Sequence, residues 1–383
     1  MKHEVLNRIL LFLILINSLP IYIYWGNDHI QKVLVGVFSI LLVLLNQDKV
    51  LIKKNEIPLC LLTSFYIVYS SFSGVEGEAT VINFAYCSLL FFLLNNHLRL
   101  LAFDVLKKTF AIILSLSLIS YICIVLHWIQ PIGEITHNIR STTYIIYPFY
   151  VLETLSYFHP LYQWGLFRFN SIFDEPGYVG TLCALFLLVD FNLKGWNKIF
   201  LIAGFLSFSF AFWCLFLLTC LIKFRLRKEY ITIILFCSII VYKFWDVLFP
   251  TVFSRAIIED GEMRGDNRVG ASFEKAFNVF WNSNYIWLGM GNKAHQNYPG
   301  SSTFLSIIYN YGIAGFIMYI SIFASIALRK FNWENSLFFC VYMINIYQRP
   351  YSISLISFLM LYIGIYKLNH NEKNIPNCSC SVI

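Results

Sequence analysis

Charge is what this sequence is short of. Only 13% of its 383 residues are Asp, Glu, Lys or Arg, against roughly 25% in soluble chains, which need them to cover their surface. That scarcity excludes an ordinary soluble fold. No Walker, Rossmann or zinc-ligand spacing occurs, so neither a nucleotide-binding loop nor a metal centre is expected. His3, His29, His97, His127 and His370 have no metal-ligand spacing with carboxylates. A disulfide framework is equally absent, because most of the ten cysteines lie inside apolar segments, where cysteine behaves as a small hydrophobe. There is no short internal repeat and no segment with the composition of a soluble domain.

What is present is apolar: 58% of the residues, gathered in blocks close to the roughly 20 residues that cross a hydrocarbon core. Phe and Tyr number 37 and 24, as suits a chain with many membrane–water boundaries. The formal charge of +7 is then a topology determinant and no sign of a nucleic-acid partner. The fold class expected is all-α, a polytopic integral membrane protein with about 11–12 transmembrane helices.

The first block, Leu6–Trp25, follows a short basic start and lacks a small-residue cleavage site, so it reads as an uncleaved first helix. Further blocks lie near Ile30–Asn46, Ile57–Phe72, Thr80–Leu94 and Phe110–Ile129. Their connections alternate between basic residues (Lys49, Lys53, Lys54; then Arg99, Lys107, Lys108) and the acidic Gly74–Glu78 stretch, which puts the N-terminus on the cytoplasmic side. A long connection, Gln130–Pro176, follows; its apolar part, Thr142–Trp164, is interrupted by Pro148 and Pro160 and reads as a cap lying on the membrane surface. After Gly177–Phe191, the block Ile199–Ile222 has basic residues at both ends. A short hairpin turning near Ser207–Ser209 keeps both ends inside, and polar turns at that depth are tolerated where they line a cavity. Tyr230–Phe249 exits, a second long loop runs over Pro250–Ser301, and Thr303–Leu328, Asn335–Tyr347 and Ser352–Tyr366 complete the set, with Arg349 and Pro350 as the last outer turn. The organisation is thus 1–129 and 177–249 as helical blocks, 130–176 and 250–302 as outer loops, 303–367 as the last helices and 368–383 as a cytoplasmic tail.

The two outer loops hold the chemistry. In RFNSIFDEPGY (Arg168–Tyr178), Pro176 suits the first turn of a helix, where its missing N–H costs nothing. Glu175 then stands at the helix N-terminus, either as a functional carboxylate or, with Asp174, as a cap for free amides. The second loop carries Arg255, Arg264 and Arg268, whose planar forks match phosphate oxygens, with Glu259, Asp260, Glu262 and Asp266 interleaved as neutralising partners. His295, in LGMGNKAHQN (Leu288–Asn297), can act as acid, base or donor near neutral pH, or be a solvated loop residue.

Several separated pieces together resemble one family. They are Arg168 with the Phe-x-Glu-Pro-Gly element (Phe173, Glu175, Pro176, Gly177), the FLSFSFAF turn (Phe205–Phe212), the arginine-bearing loop, GMGNKAHQN (Gly289–Asn297) and NYGIAGF (Asn310–Phe316). In this order the chain is similar to the Wzy-type O-antigen polymerases of Gram-negative bacteria, within the O-antigen ligase and polymerase superfamily of GT-C-like membrane glycosyltransferases. The resemblance implies transfer of a growing glycan from undecaprenyl pyrophosphate to the non-reducing end of a lipid-linked repeat unit, at the periplasmic face of the inner membrane, without cofactor or metal. It implies Arg168, Arg255, Arg264 and Arg268 as pyrophosphate-binding candidates and Glu175 and His295 as catalytic ones, activating the acceptor hydroxyl or orienting the sugar. The implied partners are an undecaprenyl-pyrophosphate-linked oligosaccharide, the lipid bilayer and a chain-length regulator protein. The ligase that moves finished glycan to lipid A core, and a flippase for the lipid-linked unit, are the alternatives. Glu-Pro-Gly favours polymerase, and the scarcity of charge inside the spans argues against a flippase.

Overall fold

The computed structural model describes residues 2–25, 28–47, 52–72, 84–137, 142–154, 160–191, 195–224, 269–298, 303–329, 331–348 and 353–371, with a few single positions between them. The apolar blocks form twelve α-helices among the described residues: α1 (Lys2–Asn17), α2 (Asp28–Leu45), α3 (Ile57–Phe72), α4 (Leu90–Leu93), α5 (Asn96–Val125), α6 (Pro176–Val189), α7 (Asn197–Leu206), α8 (Phe210–Phe224), α9 (Ala271–Trp281), α10 (Leu305–Ala327), α11 (Trp333–Gln348) and α12 (Leu355–Asn371). Two of these, α5 with 30 residues and α10 with 23, are long and apolar enough to cross a membrane. The Tyr230–Phe249 block, apart from single positions, and the Arg349–Pro350 turn lie outside the described residues, as does the chain beyond Asn371.

Four expectations change. The chain is mostly helical but not all-α. The connection Gln130–Pro176 contains an antiparallel sheet of β1 (Gly133–His137), β2 (Thr142–Tyr147) and β3 (Tyr150–Glu153), the last two within the expected surface cap. TTYIIY in β2 is rich in the β-branched and aromatic residues that fit a pleated surface, and Pro148 and Phe149 make the two-residue connection to β3, Phe149 taking φ 55°. A second, two-stranded ribbon pairs β4 (Ile258–Glu259) with β5 (Glu262–Met263). The Thr80–Leu94 block is no single α-helix: its described part is a 3-10 segment, Phe84–Leu89, followed by the one turn of α4. The basic connection Arg99–Lys108 is helical, because Asn95 caps α5 by accepting from Leu98 N–H (2.9 Å) and the helix starts at Asn96.

The reason the charged residues fit inside α5 is pairing. Glu56, in the 3-10 turn before α3, and Arg99 are each 1% exposed and share a bidentate ion pair (3.0 and 2.5 Å). Arg329, just past α10, adds a third bond to Glu56 (3.0 Å). The Arg99 guanidinium lies over Phe91 and Tyr362, 4.2 and 5.0 Å from their ring centres. Farther along α5, Lys107 and Lys367 of α12 hold Asp190, at the end of α6, with 2.6 and 2.8 Å contacts. These contacts fix direction: α3 and α5 run away from the Glu56 cluster, while α6, α10 and α12 run towards the same end.

Burial alone pushes the Glu56 carboxyl up, but the hydrogen bonds and charges of Arg99 and Arg329 outweigh it and hold the group below its ordinary 4.5. A carboxyl lowered on folding stabilises the fold at every pH above its unfolded value and loses that contribution as pH falls through the folded one. Thermal unfolding of the purified chain is therefore expected to be flat between about pH 7 and 5 with respect to this group and to weaken below the ordinary 4.5. Glu56→Gln, which strands the buried Arg99, is expected to cost about 3–5 kcal/mol. Arg329→Ala, removing a partner that is 33% exposed, should cost clearly less; equal losses in both variants would refute the arrangement.

Candidate active site

At the other end of the helices the motifs of the two long loops fold into two packed units. The first is built on the segment from Phe167 to Phe173, a buried strap. Its backbone is stitched to four elements: Tyr121 Oη of α5 donates to Phe167 O (2.8 Å), Phe169 N–H to Leu206 O of α7 (2.9 Å), Val151 N–H of β3 to Ser171 O (2.9 Å), and Tyr22 N–H, after α1, to Ile172 O (3.2 Å). Ser171 takes φ 58° and its hydroxyl pairs with Ser117 of α5 (2.6 Å). Aromatic packing closes the strap, with Phe169 against Tyr121 and Tyr150, and Phe173 against Phe110. Much of RFNSIF is thus explained by packing alone.

The α7–α8 turn lies at Ser207–Ser209, both serines buried, with Phe208 at φ 46°. α6 approaches this turn so closely that a Cβ on Gly180 would sit 2.6 Å from Ser207 Oγ and 2.7 Å from Ser209 Cβ. Arg168 spans the junction: its Nε and one Nη donate to Ser207 O and Phe208 O, each at 3.3 Å. The residue read as a pyrophosphate ligand therefore spends part of its fork on the turn's carbonyls. Glu175 is the N-cap residue of α6 and Pro176 its first residue, yet the Glu175 side chain makes no capping hydrogen bond. Asp174 is engaged through its backbone, its carbonyl accepting from Tyr144 Oη (2.8 Å). The carboxylate at the head of α6 is held there by the backbone path, and amide capping does not account for it.

The second unit joins GMGNKAHQN to NYGIAGF. α10 is broken at Gly312, whose φ of 68° and ψ of −178° interrupt the helix. The loop lies along the break and satisfies it. Met290 and Gly291 N–H donate to Tyr309 and Asn310 O (2.8 and 2.9 Å), and Ile313 and Ala314 N–H donate to Ile286 and Trp287 O (2.9 and 3.2 Å). Tyr69 Oη, near the end of α3, donates to Tyr311 O (2.8 Å) and Leu288 O (3.0 Å), and Tyr311 Oη to Asn292 Oδ1 (2.8 Å). A satellite core of Phe273, Phe280, Ala294, Ile308 and Tyr309 pins α9 over this loop. His295 follows in a short 3-10 turn, partly buried, with its backbone N–H and its Nδ1 both directed at the Asn310 amide. Burial pushes the imidazole pKa down, with the Asn310 hydrogen bond opposing it only in part.

Of the residues singled out from sequence, Arg168, Glu175 and His295 thus lie at one end of the helices, in two separately built units, while Arg255, Arg264 and Arg268 lie outside the described residues. Asn310, Tyr69 and the turn carbonyls of Ser207 and Phe208 went unrecognised as site residues. Asn310 stands 15 residues from His295, a spacing without helical or strand periodicity, so only the fold pairs them. Among the described residues no group of three or more His, Cys, Asp or Glu gathers as a metal site. No protein-family model, curated protein or solved structure matches the chain with significance.

Only glycine takes the Gly312 conformation without strain, and a Cβ there would stand 2.2 Å from Trp287 O. Gly312→Ala is expected to lower stability by at least about 1–3 kcal/mol and to release the His295 loop. Gly133→Ala, whose Cβ meets nothing within 4 Å, is the control. Unfolding curves that coincide for the two variants would show that the break is not a structural requirement.

Proposed function

We propose that this chain is a polytopic inner-membrane glycosyltransferase, an O-antigen polymerase that moves a growing glycan from undecaprenyl pyrophosphate to the non-reducing end of a lipid-linked repeat unit on the periplasmic face. The observation that carries the reading is that motif pieces far apart in sequence pack pairwise at one end of the helices. The Arg168–Gly177 run packs against the Ser207–Ser209 turn, and GMGNKAHQN against NYG, with the ion-paired residues at the opposite end. The low charge and the two long apolar helices support the membrane setting. The remaining crossings, up to about 11–12, belong to the proposal.

The chemistry asks little of a protein beyond position and charge. The acceptor hydroxyl oxygen bonds to the anomeric carbon of the donor glycan, the bond from that carbon to the pyrophosphate oxygen breaks, and the hydroxyl proton passes to a base. Pyrophosphate is already a good leaving group, so cations to hold it and one carboxylate near the hydroxyl suffice. Glu175 is the candidate base, placed at the head of α6 as its N-cap residue. Arg168, Arg255, Arg264 and Arg268 are the candidate pyrophosphate ligands, Arg168 also bracing the Ser207–Ser209 turn. A chain-length regulator protein is the partner this activity calls for.

Deleting the gene is expected to leave surface glycan of a single repeat unit with attachment to lipid A core intact, read on a lipopolysaccharide gel. Normal long chains in the mutant would refute the polymerase reading, and loss of even single units would make the chain a ligase. In the complemented strain, Glu175→Gln is expected to cut polymerisation by about 10²-fold or more at unchanged protein level; wild-type chain length in that variant would remove Glu175 from the reaction.

A further inference from the structure

The contact between His295 and Asn310 fixes more than position. The backbone N–H of His295 is an obligatory donor, so the Asn310 atom 3.0 Å from it must be Oδ1. The other amide atom is then Nδ2, a donor, and it lies 2.8 Å from Nδ1 of the imidazole. With that donor as its nearest partner Nδ1 presents its lone pair, and in the neutral ring the proton resides on Nε2. The opposite assignment would set the Asn310 amide nitrogen against the backbone N–H and leave both without an acceptor. A doubly protonated ring would likewise turn Nδ1–H on the Nδ2 donor. Oδ1 also lies 3.2 Å from Nδ1 and keeps a second lone pair, through which Asn310 favours the charged ring; the shorter contact, to Nδ2, and the burial of the ring both favour the neutral form with a bare Nδ1. Asn310 cannot move to suit another arrangement, because its own carbonyl accepts from Gly291 N–H (2.9 Å) and it immediately precedes the break that Gly312 makes in α10.

We propose that Asn310 is a positioning residue that locks His295 as a neutral imidazole protonated on Nε2, so that His295 serves transfer by donating a hydrogen bond to a substrate oxygen and not by removing a proton. The role rests on the transferase reading above; the tautomer does not. It divides labour at the site, since a ring that enters the reaction as a donor leaves proton removal to a carboxylate. The ionisable groups on the elements packed around the ring are Lys293 and Tyr298 on its own loop, Tyr309 and Tyr311 on α10, and the exposed Glu274 and Lys275 on α9.

The test uses the full chain in lipid nanodiscs, with ring-¹⁵N-labelled histidine and His295 assigned by difference from His295→Gln. At neutral pH the His295 Nδ1 signal is expected to be that of an unprotonated, hydrogen-bond-accepting nitrogen. Asn310→Asp, which replaces the donor with a carboxylate, is expected to move the proton to Nδ1. A protonated Nδ1 in the wild-type chain overturns the proposal without reference to any activity, and it does so even if Asn310→Asp fails to fold. In the chain-length assay, His295→Gln keeps an N–H where Nε2–H stood and is expected to retain at least about tenfold more polymerisation than His295→Ala. Equal loss in the two would mean that His295 takes the proton after all. Failure of the polymerase reading would instead show as wild-type glycan in the deletion strain with the tautomer unchanged.

Discussion

A carboxylate sealed from solvent has to be matched by charge and by hydrogen bonds, and Glu56 is matched twice over, by the bidentate fork of Arg99 and by Arg329. Everything else in the described structure hangs from that constraint. Taking Arg99 away leaves the buried carboxylate with only the partly exposed Arg329, and taking Glu56 away strands Arg99 in a medium that cannot solvate it, so the start of α3, the start of α5 and the end of α10 have one workable relative placement. The rings of Phe91 and Tyr362, packed edge-to-face against each other and both against the Arg99 guanidinium, extend the constraint to α4 and α12, and the Asp190 contacts with Lys107 and Lys367 repeat it for α6. One end of the helices is thereby locked electrostatically, which leaves the other free to contain irregular backbone.

At that other end the same requirement, that polar groups away from water be satisfied, is met largely by neutral groups, the Arg168 fork on the α7–α8 turn carbonyls being the charged contribution. The strap from Phe167 to Phe173 gives its carbonyls and amides to α5, α7, β3 and the segment after α1, and the broken helix gives its own to the loop that carries His295. Both solutions rest on backbone groups supplemented by neutral side chains such as Tyr121 and Tyr69. They explain why serines, glycines and asparagine, and not ionised residues, fill the tightest positions, as Gly180 against Ser207 and Ser209 shows.

How much of this can be read from the chain alone follows from the kind of force involved. Apolar runs locate most helices, because burial depends on composition over a window, and the polar Ser207–Ser209 interruption marks the α7–α8 turn in the same way. Proline at the head of α6 is legible for a local reason, the amide it lacks. The Glu56–Arg99–Arg329 cluster is not legible. Its members lie 43 and 273 residues apart along the chain, and basic residues between apolar runs look like solvent-facing topology signals until a partner is found. The sheet hides for a related reason: TTYIIY is as apolar as a surface-lying helix, and its strand pairing is decided by neighbours. Asn310 and His295 share no periodicity, so their contact exists only in the fold.

The break at Gly312 bears on depth. Composition counts α10 as one 23-residue helix, but the continuous part after Gly312, residues 313–327, reaches only about 22 Å at 1.5 Å per residue, short of the roughly 30 Å of a hydrocarbon core. On the polytopic reading the missing length is made up by the short helical piece before Gly312 and by the loop packed along it. Exposed backbone at such depth is tolerated only where protein or a watery cavity satisfies it, and here four backbone hydrogen bonds between the loop and the break do so. The arrangement would thus set His295 and Asn310 below the level of an ordinary surface loop. That is where a protein acting on a lipid-linked sugar has to bring its polar groups, since the bond to be broken lies next to the carrier's phosphates at the membrane boundary.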